Sequence, residues 1–239
     1  MEILFAGSVP KSDIDSDYCE DVFEIDCERN IAALCDGATE SYNSKGWANI
    51  LCNKFIKVPY VNSRWITGAV KQYIKSENVK NLNWAQQFAF ERGSFSTLLS
   101  VKINYKKKYI KLYGIGDSIA VIVENSTILT TFPLYKSADF HKRPTLLSTR
   151  MSDNTFVYKS RKYAPYIKLI DFSTLNNAIL LLLMTDALGE LFLRTYEQTG
   201  TIFPITHIRE FEEFKSFVIA QRQEKNIKVD DTTLLTIKI

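Results

Sequence analysis

The sequence predicts an α+β architecture in which antiparallel sheets are covered by helices, and three observations carry that reading. Short runs of alternating hydrophobicity come first, a block of helical periodicity follows, and strand-like runs return before two further helical segments, which is not the strict βαβ alternation of a parallel fold. No GxGxxG or GxxxxGK[ST] loop is present to cradle a nucleotide phosphate, so dinucleotide-binding and P-loop readings lose support. With 239 residues, 46% hydrophobic and 24% charged, the chain can fill one core, and a single domain over 1–239 is expected.

In chain order, residues 2–6, 21–26 and 31–35 are short apolar or alternating runs separated by polar turns, as expected of antiparallel strands. From Ser44 to about Ser76 the spacing becomes helical. Trp47, Ile50, Leu51 and Phe55 mark one amphipathic helix and Trp65, Ile66, Val70 and Ile74 a second, split near Pro59. A third helix, Asn83 to Glu91, should stop at Gly93, which can adopt the left-handed conformation that ends a helix. Trp84 falls at helical spacing with other apolar residues, like Trp47 and Trp65, and all three are expected in the core. A meander follows at Ser96 to Ile103, Tyr109 to Tyr113 and Ile119 to Val123. Residues 131–165 carry Pro133, Pro144 and Pro165 with weak periodicity and read as a long excursion between strands. Strands at Tyr166 to Ile170 and Ala178 to Met184, helices at Leu188 to Tyr196 and His207 to Gln221, and a last strand from Thr232 to Ile239 complete the pattern.

Thirty Lys and Arg against 27 Asp and Glu leave a net charge of only +3, which carries no electrostatic footprint for nucleic acid or an anionic membrane. Cys19, Cys27, Cys35 and Cys52 fit neither a zinc ribbon nor a dense disulfide framework, so reduced, mostly buried thiols are expected. The opening MEILFAGSVPKSDIDSD lacks the basic region of a secretory signal, and the most apolar run, Ala178 to Met184, is far short of the roughly 20 residues that span a bilayer. A cytoplasmic protein is the expectation.

Acidic residues recur at the boundaries of the expected strands: Glu20-Asp21, Asp36-Gly37, Asp117 in GIGDS, Asp186 and Asp230-Asp231. A carboxylate just past an apolar strand sits on a rigid element yet reaches solvent, and several can converge at one sheet edge. Converging carboxylates repel unless cations lie among them, and hard divalent ions such as Mg²⁺ and Mn²⁺ prefer oxygen ligands. Singly, each aspartate is more often a turn former or helix cap; their repetition points to a metal cluster. No C-x5-R phosphate loop surrounds a cysteine, and only His141 and His207 could serve as histidine bases, without a GxSxG elbow.

The segments CEDVFEID, IAALCDGATES, GSFSTLLSVKI, LYGIGDSIAVIV, AILLLLMTDALGE and VDDTTLLTIKI resemble, in order, the motifs of the PP2C (PPM-type) metal-dependent protein phosphatases over nearly the whole chain. DGATESYNSKGWA is most similar to a bacterial branch of that family. The resemblance implies an α-β-β-α sandwich with two central, mainly antiparallel sheets flanked by helices, and a flap-like excursion at about 131–165 that borders the cleft. It implies two or three divalent ions, Mn²⁺ or Mg²⁺, whose bridging water attacks a phosphate ester. By the same resemblance Asp36 bridges two metals, Gly37 offers its carbonyl, Glu20 ligates the second metal in part through water, and Asp186 and Asp230 hold the first. Asp21 orders metal-bound water, and Asp117 is the candidate for a third metal, with a plain turn residue as its other reading.

Departures from the family pattern fall around these residues. An Arg that binds substrate phosphate in many relatives is replaced by Ser16, which leaves the phosphate-binding group unassigned among Lys11, Arg29, Lys45 and Arg92. Ala38 stands where some relatives have a histidine acid, Ala187 where glycine is usual, and Ile119 where GDSR has arginine. The resemblance implies a phosphatase for phosphoserine or phosphothreonine proteins, paired with a partner kinase as relatives often are, and a monomer is expected. A PP2C-like regulatory or binding module without turnover, and a metallohydrolase for small phosphate esters, are the alternatives.

Overall fold

The computed structural model describes residues 1–12, 18–39, 41–77, 79–158, 160–175, 179–202 and 204–239. Three strands open the chain, β1 (Glu2–Val9), β2 (Val22–Asp26) and β3 (Ile31–Cys35), followed by helices α1 (Ser44–Lys57), α2 (Ser63–Ser76) and α3 (Trp84–Arg92). A β-rich stretch holds β4 (Phe95–Ser96), β5 (Leu98–Asn104), β6 (Tyr109–Ile115), β7 (Ile119–Glu124) and β8 (Thr127–Phe132). After β9 (Leu147–Ser148) and the short α4 (Ser160–Tyr163) come β10 (Ile167–Asp171), β11 (Ile179–Met184), α5 (Asp186–Thr199), α6 (Phe211–Gln223) and β12 (Thr232–Lys238).

Two five-stranded sheets form, with orders β1-β12-β11-β7-β8 and β10-β6-β5-β3-β2, and every pairing between these strands is antiparallel. Strand periodicity then builds the layers. In β3, Ile31, Ala33 and Cys35 face Trp47, Leu51 and Phe55 of α1 and Ile66 and Val70 of α2, whereas Ala32 and Leu34 face the first sheet through Leu181, Leu183 and Leu235. On the far side, Leu182 and Met184 of β11 pack against Leu188 and Phe192 of α5 and Phe214 and Val218 of α6. The result is helix, sheet, sheet, helix, the expected α+β sandwich.

The first three helices start at asparagines. The side chains of Asn43, Asn62 and Asn83 accept from the N–H groups of Gly46, Trp65 and Gln86, satisfying donors that the first helical turn leaves open. Helix α3 ends at Gly93, as expected, but at φ +91 and ψ 166 rather than in the left-handed helical conformation. Trp47 is fully buried and donates its indole N–H to the Leu147 carbonyl at 2.9 Å.

Several expectations are corrected. Trp84 is 83% exposed and Phe88 60%, and α3 buries no side chain, because the helix lies outside the α1/α2 layer. Strand β8 was not expected, and its last two residues lie inside the stretch assigned to the excursion. Its hairpin turns at Asn125 and Ser126, both at positive φ, a two-residue turn without the usual glycine signal. The last helix begins at Phe211 with Glu212 and Glu213 in its first turn, where the helix dipole favours them, and His207 belongs to a separate 3₁₀ turn. All four thiols are free, yet only Cys35 and Cys52 are buried, Cys27 being exposed. No helix among the described residues is long and apolar enough to cross a membrane.

Candidate metal centre

Antiparallel register gathers the acidic residues at one end of the sandwich. In the first sheet Met184 pairs with both Ile119 and Leu234, and Val9 pairs with Thr232. The residues just outside these pairs, Asp117, Asp186, Asp230 and Lys11, therefore share one edge. In the second sheet Val22 pairs with Cys35 and Leu34 with Leu99, which brings Glu20, Asp21, Asp36 and Thr97 to the same end. Opposite strand polarity thus converts scattered positions into a cluster.

Asp36, Asp117 and Asp186 each direct a carboxylate oxygen into a group whose atoms all lie within 4.8 Å of one another. Asp36, Gly37, Asp117, Asp186 and Asp230 line a cleft of about 160 Å³, joined by Thr39, Thr97, Pro144 and Leu146. Pro144 and Leu146 come from the segment between β8 and β10, so that segment borders the cleft. Backbone bonds fix Asp36: its N–H donates to Thr97 Oγ1 at 2.8 Å and its carbonyl accepts from the Thr97 N–H at 2.9 Å. Gly37 lies against the first turn of α1, and a Cβ there would stand 2.8 Å from that of Ser44. Gly116, at φ +105, makes the turn that presents Asp117.

The electrostatics are those of crowded carboxylates, whose mutual repulsion a cation would offset. Burial, then Asp21, Asp186, Asp117 and Asp230, push the Asp36 carboxyl well above the ordinary aspartate value. Burial and the Asp186 charge raise Asp117 to about 6. Asp186 is raised by burial, although Lys228 opposes the shift. Asp21 is buried and raised by burial and by Asp231 and Asp186. Its Oδ2 accepts from Thr233 Oγ1 at 2.6 Å, and its Oδ1 is buried without a hydrogen-bond partner. Oxygen donors of this number, mutual repulsion and an orphaned buried oxygen all fit hard divalent ions.

Glu20 is placed differently from the others. Its Oε2 accepts from Lys11 Nζ at 2.6 Å and Thr39 Oγ1 at 2.7 Å, and its Oε1 from Ser44 Oγ. Burial alone would raise this carboxyl, but those donors hold it below the ordinary glutamate value. Direct metal ligation by Glu20 would share its carboxylate with these three donors. Arg29 donates to the Ile56 and Lys57 carbonyls at the end of α1, and Arg92 lies over the Phe88 ring. Ser16 lies outside the described residues.

Four contributors carry roles that sequence reasoning did not assign. Asp231 accepts from the N–H groups of Lys11 at 2.7 Å and Glu20 at 2.6 Å, clamping the end of β1 to the strand that follows. Arg222 donates to the carbonyls of Pro10 at 2.7 Å and Asp230 at 2.6 Å. Thr97 holds Asp36 as described, and the Thr-strand motif GSFST carries no sign of that role. Lys228 contacts Asp186 Oδ2 and stands 3.2 Å from Asp230 Oδ2. A basic residue two positions before an acidic pair was the one available signal.

Neither a protein-family model nor a curated protein sequence matches the chain. Solved structures do. The photosystem II phosphatase PBCP matches at 11% identity with a TM-score of 0.59, over 98% of this chain and 98% of that one. The catalytic domain of the serine/threonine protein phosphatase PstP, in complex with two manganese ions, matches at 12% identity and a TM-score of 0.55, over 97% of this chain and 94% of that one. The serine/threonine phosphatase Stp1 from Staphylococcus aureus matches at 17% and 0.55, over 100% and 96%. The fold is the PP2C-type phosphatase fold.

Proposed function

We propose that this protein is a metal-dependent phosphatase that hydrolyses phosphoserine or phosphothreonine monoesters on proteins, acting as a cytoplasmic monomer opposite a partner kinase. The observation that carries the reading is the convergence of Asp36, Asp117 and Asp186 within 4.8 Å in a cleft at the end of a PP2C-type sandwich. Asp36, the Gly37 carbonyl, Asp186 and Asp230 would hold two divalent ions, Mn²⁺ or Mg²⁺, with Asp117 available to a third. Ions bound there supply an acidified water and neutralise charge on the phosphoryl oxygens.

The chain's own groups do the rest. Asp21, with Oδ1 unpartnered, orients water beside the cluster. Lys11, held by Glu20 and by Thr39 of the cleft, is the cation we assign to the substrate phosphate in place of the arginine missing at Ser16. Glu20 then serves chiefly to position Lys11. Pro144 and Leu146 make the segment after β8 a wall against which the substrate polypeptide lies. The module without turnover is favoured only by Ser16 and by the engagement of Glu20.

The test is hydrolysis of a phosphothreonine peptide and of p-nitrophenyl phosphate with Mn²⁺, with Mg²⁺ and with EDTA, for the wild type and for Asp36→Asn and Asp186→Asn. Turnover should require metal and fall at least about 100-fold in both variants. A folded wild type without turnover in any metal would leave the binding module as the better account.

A further inference from the structure

We propose that Lys228 is a resident counter-cation of the Asp186–Asp230 pair, which a divalent ion must displace in order to bind there, so that this lysine sets the metal affinity of that position. The inference rests on the metal centre proposed above. On each carboxylate one oxygen already accepts from a backbone donor: Asp186 Oδ1 from the Ala187 N–H at 2.6 Å, and Asp230 Oδ1 from the Asp231 N–H at 2.9 Å. The two Oδ2 atoms carry no such backbone bond, and Lys228 Nζ faces both, in contact with the first and 3.2 Å from the second. A metal that binds through these oxygens therefore meets the ammonium there.

The loop around the lysine is fixed while its side chain has room to leave. Arg222 bonds the Asp230 carbonyl at 2.6 Å, Arg194 bonds the Asn226 carbonyl, and Ile227 is buried. The Lys228 side chain is 53% exposed and lines a cavity of about 590 Å³ beside the cleft, with His141 and Arg194 on its walls. A divalent ion has the higher charge and several oxygens within reach, so it wins the exchange once its concentration suffices. Until then the lysine relieves repulsion between the two carboxylates.

Calorimetric titration of chelator-treated protein with Mn²⁺ tests this without reference to turnover. Lys228→Met should bind Mn²⁺ about tenfold more tightly than the wild type, and its metal-free melting temperature should be lower, with the gap closing at saturating Mn²⁺. Lys228→Arg, which retains a cation, should stay within about threefold of the wild-type affinity. Equal or weaker binding by Lys228→Met, with the wild type binding normally, would overturn the exchange and leave the metal centre standing. Absence of Mn²⁺ binding in both proteins would remove the metal centre and the exchange with it.

Discussion

At the scale of single residues, bases flank the cleft that acids line. Lys11 is bound to a Glu20 carboxylate that is 2% exposed and to Thr39 of the cleft, so the pair is anchored at its border. Lys11→Met should raise KM for a phosphothreonine peptide about tenfold while kcat changes by less than about threefold, because a cation that grips phosphate equally in ground and transition states affects binding alone. The same change leaves a buried carboxylate with Ser44 and Thr39 only, and should cost about 1–3 kcal/mol in urea unfolding. Lys11→Arg should restore most of both. A fall in kcat with unchanged KM would instead place Lys11 in the chemical step and sink the assignment. Nothing in SVPKSDID distinguishes this lysine from a solvated one. Its role depends on β1 pairing with β12, a contact across more than 200 residues.

At the scale of elements, legibility followed the strength of the local signal. The buried strands β3 and β11 and the strongly periodic α1 and α2 were readable because each carries its own apolar pattern and ends at a proline or an acidic turn. Strand β8 was not, since Thr127–Phe132 lacks period-two alternation and its turn lacks glycine. Helix α3 was located correctly and misjudged in burial: spacing reveals that residues share a face, but only tertiary placement decides whether that face is covered. The two tryptophans put a number on the difference. Trp47→Ala removes a fully buried ring and the indole bond to Leu147 and should cost about 3–5 kcal/mol in denaturant unfolding. Trp84→Ala, at 83% exposure, should change stability by less than about 0.5 kcal/mol. Equal losses would mean that α3 is covered in solution.

At the scale of the whole molecule, the carboxylate set was legible because antiparallel strands that begin and end at the same sheet edge must bring their flanking residues together. The cations were less so: Lys11 was one of four unranked candidates and Lys228 was unnamed, because both lie on loops whose course no periodicity encodes. The fold therefore holds its acids together against their charge, and this links stability to pH. Asp21, Asp36, Asp117 and Asp186 have folded-state values raised above those of the unfolded chain. They favour the folded state below the unfolded value of about 4, and that contribution is lost as pH rises through the folded values, about 6 for Asp117. Glu20, held low, acts in the opposite sense: its contribution is present above the unfolded value and lost as pH falls. The raised carboxylates outnumber it, so the melting temperature in EDTA should fall between about pH 5 and about pH 7.5. Saturating Mn²⁺ should flatten or reverse that slope, because the ions bind the ionised set only, and the separation of the two curves should widen with pH. Asp36→Asn should blunt the fall in EDTA by removing the charge that meets the other four aspartates. Parallel curves with and without Mn²⁺ would mean that these carboxylates do not take up metal, since the link between charge, metal and folding requires the curves to diverge.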